Sequence, residues 1–142
     1  MSILHVNQIA DKVRKMFVAI LDLKDLDKDK EKDVKSLTRC LAAYAIYHFG
    51  ECSEADAAHS VVDGGDDNGI DAIYYSSQNK ELLIVQSKWS QNGDGEPDSA
   101  AVGKFCTGVK DLFNLRFDRF NEKLRKKELE ITKALTEFGV SY

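Results

Sequence analysis

The chain has 142 residues, a formal net charge of −4, 43% hydrophobic residues and 31% charged residues. This length and composition predict a single globular domain over residues 1–142 with a modest hydrophobic core. The acidic balance argues against a protein that holds nucleic acid through overall charge alone. No apolar run is long enough to span a bilayer, so we expect no membrane association.

The cysteines indicate a reducing environment. Cys40, Cys52 and Cys106 show no CxxC spacing, and an odd number of thiols cannot pair completely within one chain. The sequence also begins without a recognisable signal peptide. These features predict buried, reduced thiols in a cytoplasmic protein.

Two helices are predicted in the first third of the chain. Residues 22–33, between them, are dense in Lys and Asp and predict a solvated loop or helix end. Residues 37–49 carry an apolar stripe and predict the second helix, which we expect to end at Gly50. The first helix is indicated by apolar residues at helical spacing, namely Leu4, Val6, Ile9, Val13, Met16, Phe17, Ile20 and Leu21.

A small sheet is predicted in the middle of the chain. Ser53 is a good N-cap for a short helix that ends at Ser60, and residues 61–62 then predict a first short strand. Residues 70–75 and 82–85 are rich in Ile, Val, Leu and Tyr, which predicts two further strands. The polar turn between them is centred between positions 78 and 79, so paired residues should have numbers that sum to 157.

Helices are predicted again after the sheet. Residues 90–98 contain two glycines and a proline and predict a flexible loop, after which Asp98 or Ser99 caps a helix that runs to Asn114. One long amphipathic helix is then predicted to end at Gly139. Its apolar stripe consists of Phe117, Phe120, Leu124, Ile131, Leu135 and Phe138.

Three polar side chains lie in the predicted hairpin where apolar side chains are expected. The register places Asp71 opposite Gln86, and Lys88, two residues farther along, points to the same face. We predict Asp71, Gln86 and Lys88 as catalytic residues, with Asp71 and Gln86 as oxygen ligands of Mg²⁺ or Mn²⁺ and the Ser87 carbonyl as a further ligand. Lys88 would stabilise charge on a phosphate or orient a water molecule. The alternative is a polar strand end that reaches solvent.

These residues also carry a resemblance to known proteins. The order GIDA, hairpin, QSK resembles the PD-(D/E)xK nuclease superfamily, in the variant with Gln in place of Glu that is found in Mrr-type domains. A wider resemblance, to the N-terminal region of the abortive-infection phage-resistance (AIPR) family, rests on LTRCLAAYAIYHFG, SEADAAHSVVDGGDDNGIDAIYY, LLIVQSKW and VGKFCTGVKDLFN. It implies an α/β, restriction-endonuclease-like core of order αβββαβ with extra N-terminal and C-terminal helices. Because the chain stops at residues 139–142, where the last strand should begin, we expect a truncated core.

The resemblance also implies one more acidic ligand from the preceding helix or loop. Glu54, Asp56, Asp66 and Asp67 are all candidates, and the sequence does not choose among them. The glycine-rich run DGGDDNG does not fit an EF-hand, because the first and last ligand positions would be Gly64 and Tyr75. The alternative for part of this run is a tight turn with solvated acids.

The expected function is that of a magnesium-dependent endodeoxyribonuclease, and the resemblance places it in bacterial defence against phage. RNA as the substrate and a non-catalytic interaction module remain alternatives. A homodimer is expected, either through an unpaired sheet edge or through the apolar stripe of the last helix. A basic cluster has two interpretations, contact with a phosphate backbone or an ordinary solvated helix face; it comprises Arg116, Arg119, Lys123, Arg125, Lys126 and Lys127.

Overall fold

The computed structural model describes residues 2–136, and within them helices surround a small antiparallel hairpin. The predicted mixture of helices and strands is confirmed. Single 3₁₀ turns lie at Lys24–Leu26 and Phe117–Arg119. The helices are α1 (Ile3–Phe17), α2 (Lys32–Gly50), α3 (Glu54–His59), α4 (Ser99–Phe113), α5 (Glu122–Arg125) and α6 (Glu128–Thr136), and the strands are β1 (Ala72–Ser76) and β2 (Glu81–Val85).

The helix starts follow local capping chemistry. The Ser53 side chain accepts a hydrogen bond from the backbone N of Asp56 at 3.1 Å, which confirms it as the N-cap of α3. Asp98, rather than Ser99, caps α4 by accepting from the backbone N of Ala101 at 2.7 Å. Of the two candidates, the carboxylate therefore satisfies the free N–H at this helix start.

The end of α2 is set by packing as well as by local conformation. Helix α2 includes Gly50, and Glu51 adopts the left-handed conformation with a φ of 49° that ends it. A Cβ on Gly50 would lie 3.1 Å from the Tyr74 ring. The glycine therefore allows β1 to approach the helix closely.

The hairpin has the predicted register. Ala72 pairs with Val85 and Ser76 pairs with Glu81, so every pair sums to 157, and residues 77–80 form the turn. The predicted strand at residues 61–62 is reduced to a single bridge from Val61 to Ala72. The described residues therefore contain two strands and one isolated bridge, which is less sheet than a core with three consecutive strands would have.

The two faces of the hairpin belong to two hydrophobic clusters. Ala72 and Tyr74 pack with residues of α1, α2 and α3, whereas Ile73 packs with residues of α4, α5 and α6. Side chains alternate across a strand, so one short hairpin separates two layers of helices. The residues that follow β2 and precede β1 lie where these layers meet.

The prediction of one long final helix is wrong. Leu115 has a φ of 56°, and Phe120 is extended, so the chain forms a 3₁₀ turn and two short helices instead. Asn121 caps α5 by accepting from the backbone N of Leu124 at 3.0 Å, and its amide donates to the carbonyl of Val62 at 2.7 Å. This local cap and the tertiary bond to Val62 replace the continuous helix. The predicted end at Phe138 and Gly139 lies outside the described residues.

The apolar stripe of this region is covered by the same chain. Phe117, Phe120, Leu124 and Ile131 are buried, and Leu135 packs against them. The stripe therefore needs no second copy, which removes one of the two reasons for expecting a homodimer. Dimerisation through the sheet edge stays a prediction.

The remaining predictions concern the cysteines and the membrane. All three cysteines are free, and Cys40 is buried as predicted, but Cys52 is half-buried and Cys106 is exposed. Among residues 2–136, no helix has both the length and the apolar composition that a membrane span requires.

Candidate metal centre

The loop that leads into β1, residues 63–71, packs closely against α4. Gly69 has a φ of 81°, and a Cβ there would lie 2.8 Å from the backbone of Lys104. A Cβ on Gly108 would collide with the carbonyl oxygen of Asn68. The Asn68 amide also donates to the Asp111 carboxylate at 2.8 Å. Two glycines and one side-chain bond thus hold the loop in a close approach that larger residues would prevent.

The same loop brings three carboxylates together. Asp63, Asp67 and Asp71 each offer a carboxylate oxygen, and these atoms all lie within 4.8 Å of one another. Asp67 and Asp71 are buried, with 8% and 7% of their surface exposed. We refer to these three residues as the acidic cluster.

Backbone N–H groups hold two of the carboxylates in place. Asp67 accepts from the backbone N of Gly69 at 2.9 Å and, more weakly, from that of Gly64 at 3.4 Å. Asp71 accepts from the backbone N of Ser87, just beyond β2, at 2.7 Å. The positions of these acids therefore depend on the loop and on the hairpin together.

Burial and mutual repulsion make the ionised form of the acidic cluster unfavourable. Burial, together with the smaller effect of the nearby charges of Asp63 and Asp67, raises the pKa of Asp71 to about 7 against the opposing effect of the Ser87 N–H. Burial also raises the pKa of Asp67. Like charges in a low-dielectric site favour binding of a proton or a cation that neutralises them.

A buried arginine fixes the third carboxylate. Arg39 is 1% exposed, and its Nε donates to Asp63 at 2.7 Å. Its two terminal nitrogens each donate to Asp25 at 2.6 Å. The hydrogen bond from Arg39 holds the pKa of Asp25 at about 2. Arg39 therefore orients Asp63 and offsets part of the negative charge of the cluster.

The predicted residues Asp71, Gln86 and Lys88 have different environments in the structure. The backbone N of Asp71 donates to the carbonyl of Val85 at 2.8 Å, which, with the Ser87 bond, places Asp71 opposite residues 85–87. The Gln86 amide donates to the carbonyl of Ala101 on α4 at 3.1 Å. Lys88 is exposed and has no hydrogen bond or ion pair within the described residues. Their catalytic and metal-binding roles stay predictions.

Of the four further acids proposed from the sequence, only Asp67 belongs to the cluster. Glu54, Asp56 and Asp66 are exposed. Asp63 was not among the four candidates. The sequence does show aspartates at the regularly spaced positions 63, 67 and 71. This spacing brings the three carboxylates together only because the glycines allow the loop to fold back.

A lysine of α4 lies near the cluster. The Lys104 ammonium is 4.0 Å from an Asp67 oxygen, and its side chain is 61% exposed. An exposed pair at this distance contributes little to stability. Lys104 nevertheless brings positive charge from α4 toward the cluster, as Lys88 was predicted to do from the hairpin.

Comparison of the chain with family models, curated proteins and solved structures yields no match. The resemblance to the AIPR and PD-(D/E)xK proteins therefore stays a prediction.

Proposed function

We propose that this protein hydrolyses phosphodiester bonds in DNA with the help of Mg²⁺ or Mn²⁺. The observation that carries this proposal is the convergence of Asp63, Asp67 and Asp71 within 4.8 Å. Carboxylate oxygens are the ligands that hard divalent cations prefer. The three carboxylates therefore fit such an ion. Because the Asp71 carboxylate is buried, a bound cation would also offset its negative charge.

Each residue of the site has a proposed task. Asp71 and Asp67 hold the cation between the hairpin and α4, and Asp63, oriented by Arg39, completes the acidic set. A bound cation supplies charge neutralisation at the phosphate and a more acidic water molecule. Gln86 offers its amide oxygen at the edge of the site. Lys88 stabilises the charge that develops on the phosphate, with Lys104 as the alternative for this role.

The fold proposed for this function is the restriction-endonuclease-like one. Support comes from an antiparallel hairpin with an acidic residue directly before β1, polar residues directly after β2 and a helix packed across them. The free thiols suit a reducing cytoplasm. Defence against phage is the biological role that the sequence resemblance suggests.

The direct test is a cleavage assay with plasmid DNA, single-stranded DNA and RNA, each with Mg²⁺, Mn²⁺ or EDTA. We expect DNA cleavage that requires metal and is lost in Asp71→Asn. Asp66→Asn is the matched control, because Asp66 lies in the same loop but is exposed. Cleavage that survives Asp71→Asn would refute the proposed site, and preferential cleavage of RNA would reassign the substrate.

The role of Lys88 can be separated from simple phosphate binding. We expect Lys88→Ala to reduce the cleavage rate far more than the affinity for DNA, because the proposed interaction strengthens in the transition state. Lys104→Ala is the companion variant. A larger loss of cleavage rate in Lys104→Ala than in Lys88→Ala would assign the stabilisation of the phosphate charge to Lys104.

A non-catalytic interaction module is the second candidate, and one surface favours it. An apolar groove of about 420 Å³ lies along β2, lined by residues that include Leu83, Val85 and Phe105. Phe49, also at this groove, is 67% exposed. Sedimentation equilibrium of the wild-type protein and of Phe49→Ser would reveal self-association through this face. A monomer in both cases, together with metal-dependent cleavage, would favour the enzyme.

A further inference from the structure

A second cavity is lined in part by Lys123, whose ammonium group donates to the carbonyl of Asp63. Its volume is about 410 Å³, which is in the range of small-molecule sites. The floor is aliphatic and includes Ile20, Leu21, Ala58 and Val61.

Positive charge is concentrated at this cavity. Lys123, Lys126 and Lys127, at the junction of α5 and α6, all line it, and His59 lies at the same opening. The acid that lines the cavity is Asp22, whose carboxylate accepts the backbone N of Lys24 at 3.2 Å. The cationic groups therefore outnumber the acidic one.

Lys127 makes the strongest case for a missing anion. It is half-buried, and its ammonium group forms no ion pair or side-chain hydrogen bond within residues 2–136. Burial lowers the pKa of Lys127, and Glu130 opposes this effect only in part. An anion bound beside Lys127 would offset the cost of this partial burial.

Lys126 and Lys123 differ from Lys127 in their contacts. Within the part of the chain that the structure describes, the ammonium group of Lys126 has only an exposed contact with Glu122 at 3.8 Å, which allows it to turn toward a ligand. Lys123 donates to the carbonyl of Asp63 at 3.0 Å and therefore links the cavity to the acidic cluster. An anion in the cavity would thus lie next to the chain segment that carries the first cluster acid.

We propose that this cavity binds the phosphate group of a nucleotide, with the ammonium groups of Lys126 and Lys127 on the phosphate and the nucleoside on the aliphatic floor. The nucleotide is either free or part of a strand, since both present the same chemistry to the lysines. If the proposed nuclease function holds, a strand bound here continues past Lys123 toward the acidic cluster. Binding itself requires neither metal nor an intact cluster.

The test is calorimetry in EDTA with deoxyadenosine monophosphate, deoxyadenosine and a short oligodeoxyadenylate. We expect the monophosphate to bind and the nucleoside to bind at least about tenfold more weakly, because a charge-assisted hydrogen bond contributes that much. Lys127→Met, which keeps most of the apolar stem, should weaken monophosphate binding by about tenfold. Lys133→Met is the control, since Lys133 is exposed on α6 and does not line the cavity.

Several results would overturn the proposal. These are no binding of the monophosphate, equal binding of the nucleoside, or an equal loss in Lys133→Met. If Lys127→Met does not fold, methyl NMR of the wild-type protein decides: monophosphate should shift Ile20, Leu21 and Val61, and shifts confined elsewhere would refute the site. Equal affinity for monophosphate and oligonucleotide supports a free nucleotide, whereas a stronger, Lys127-dependent oligonucleotide affinity supports a strand. Binding retained in Asp71→Asn would support this site even if no cleavage is found.

Discussion

Replacing Asp71 by Asn should stabilise the protein in the absence of divalent metal, and more so at high pH. The carboxylate is 7% exposed and has a pKa of about 7, compared with 3.8 for a free aspartate. A rise of about three pKa units corresponds to about 4 kcal/mol of unfolding free energy lost once the pH exceeds both values. The neutral Asn side chain avoids this loss and can still accept the hydrogen bond from the Ser87 N–H.

The sign of the pH dependence follows from the raised pKa. Between about pH 4 and pH 7 the folded state holds a proton that the unfolded state has released, so stability falls as the pH rises. At pH 5 Asp71 therefore costs only about 1.5 kcal/mol, and at pH 8 it costs about 4 kcal/mol, as upper values. The advantage of Asp71→Asn over the wild type should widen by about 2–3 kcal/mol between these pH values.

Urea unfolding in EDTA, followed by tryptophan fluorescence, would measure this difference. Trp89 is the only tryptophan in the sequence and is 8% exposed, so its emission reports on the loss of the core. Asp66→Asn is the control, because Asp66 is exposed and has a φ of 58°, which Asn tolerates. We expect the control to change stability by no more than about 0.5 kcal/mol at either pH.

Two outcomes would refute the reasoning. An advantage of Asp71→Asn that is the same at pH 5 and pH 8 would mean that the carboxylate does not titrate in this range. A variant less stable than the wild type at pH 8 would mean that the ionised carboxylate makes favourable contacts that outweigh its burial.

Three further predictions test the surroundings of the site. Mg²⁺ at 100 times its dissociation constant should stabilise the wild type by about 2.7 kcal/mol in the same unfolding assay and leave Asp71→Asn unchanged; equal stabilisation of both would exclude the acidic cluster as the binding site. Gly108→Ala should destabilise the protein by about 1–3 kcal/mol through its clash with Asn68, whereas Gly103→Ala, which meets no atom within 4 Å, should be neutral or stabilising in thermal melts. Arg39→Met should cost about 3 kcal/mol of unfolding free energy, because it leaves the half-buried Asp63 without its charged donor; a neutral effect would show that this ion pair contributes no net stability.

The hairpin and the helix caps were predictable because their signals are local. The polar turn at residues 77–80 determines which residues pair across the hairpin, and the observed pairs sum to 157 as predicted. Ser53 and Asp98 cap their helices through bonds to N–H groups only three residues away. Such interactions need no knowledge of the rest of the fold.

The final helical region was not predictable in the same way. Its apolar periodicity is real, and its side chains are buried, but the period alone does not reveal a break between them. The break depends on Asn121, whose amide reaches the carbonyl of Val62, a residue 59 positions earlier in the chain. Tertiary hydrogen bonds therefore override the local preference for one long helix.

The sequence by itself determined that Asp71 lies at the base of the hairpin, opposite residues 85–87, because register follows from the turn. Only the tertiary structure decided which acids join it. Asp63 becomes a neighbour because its backbone N donates to the carbonyl of Asp71 at 3.1 Å and the buried Arg39 holds its carboxylate. Asp67 joins them through a loop that Gly69 and Gly108 allow to lie against α4. These contacts connect segments that are distant in sequence, and their geometry depends on close packing of backbone atoms, which residue types and spacings do not encode.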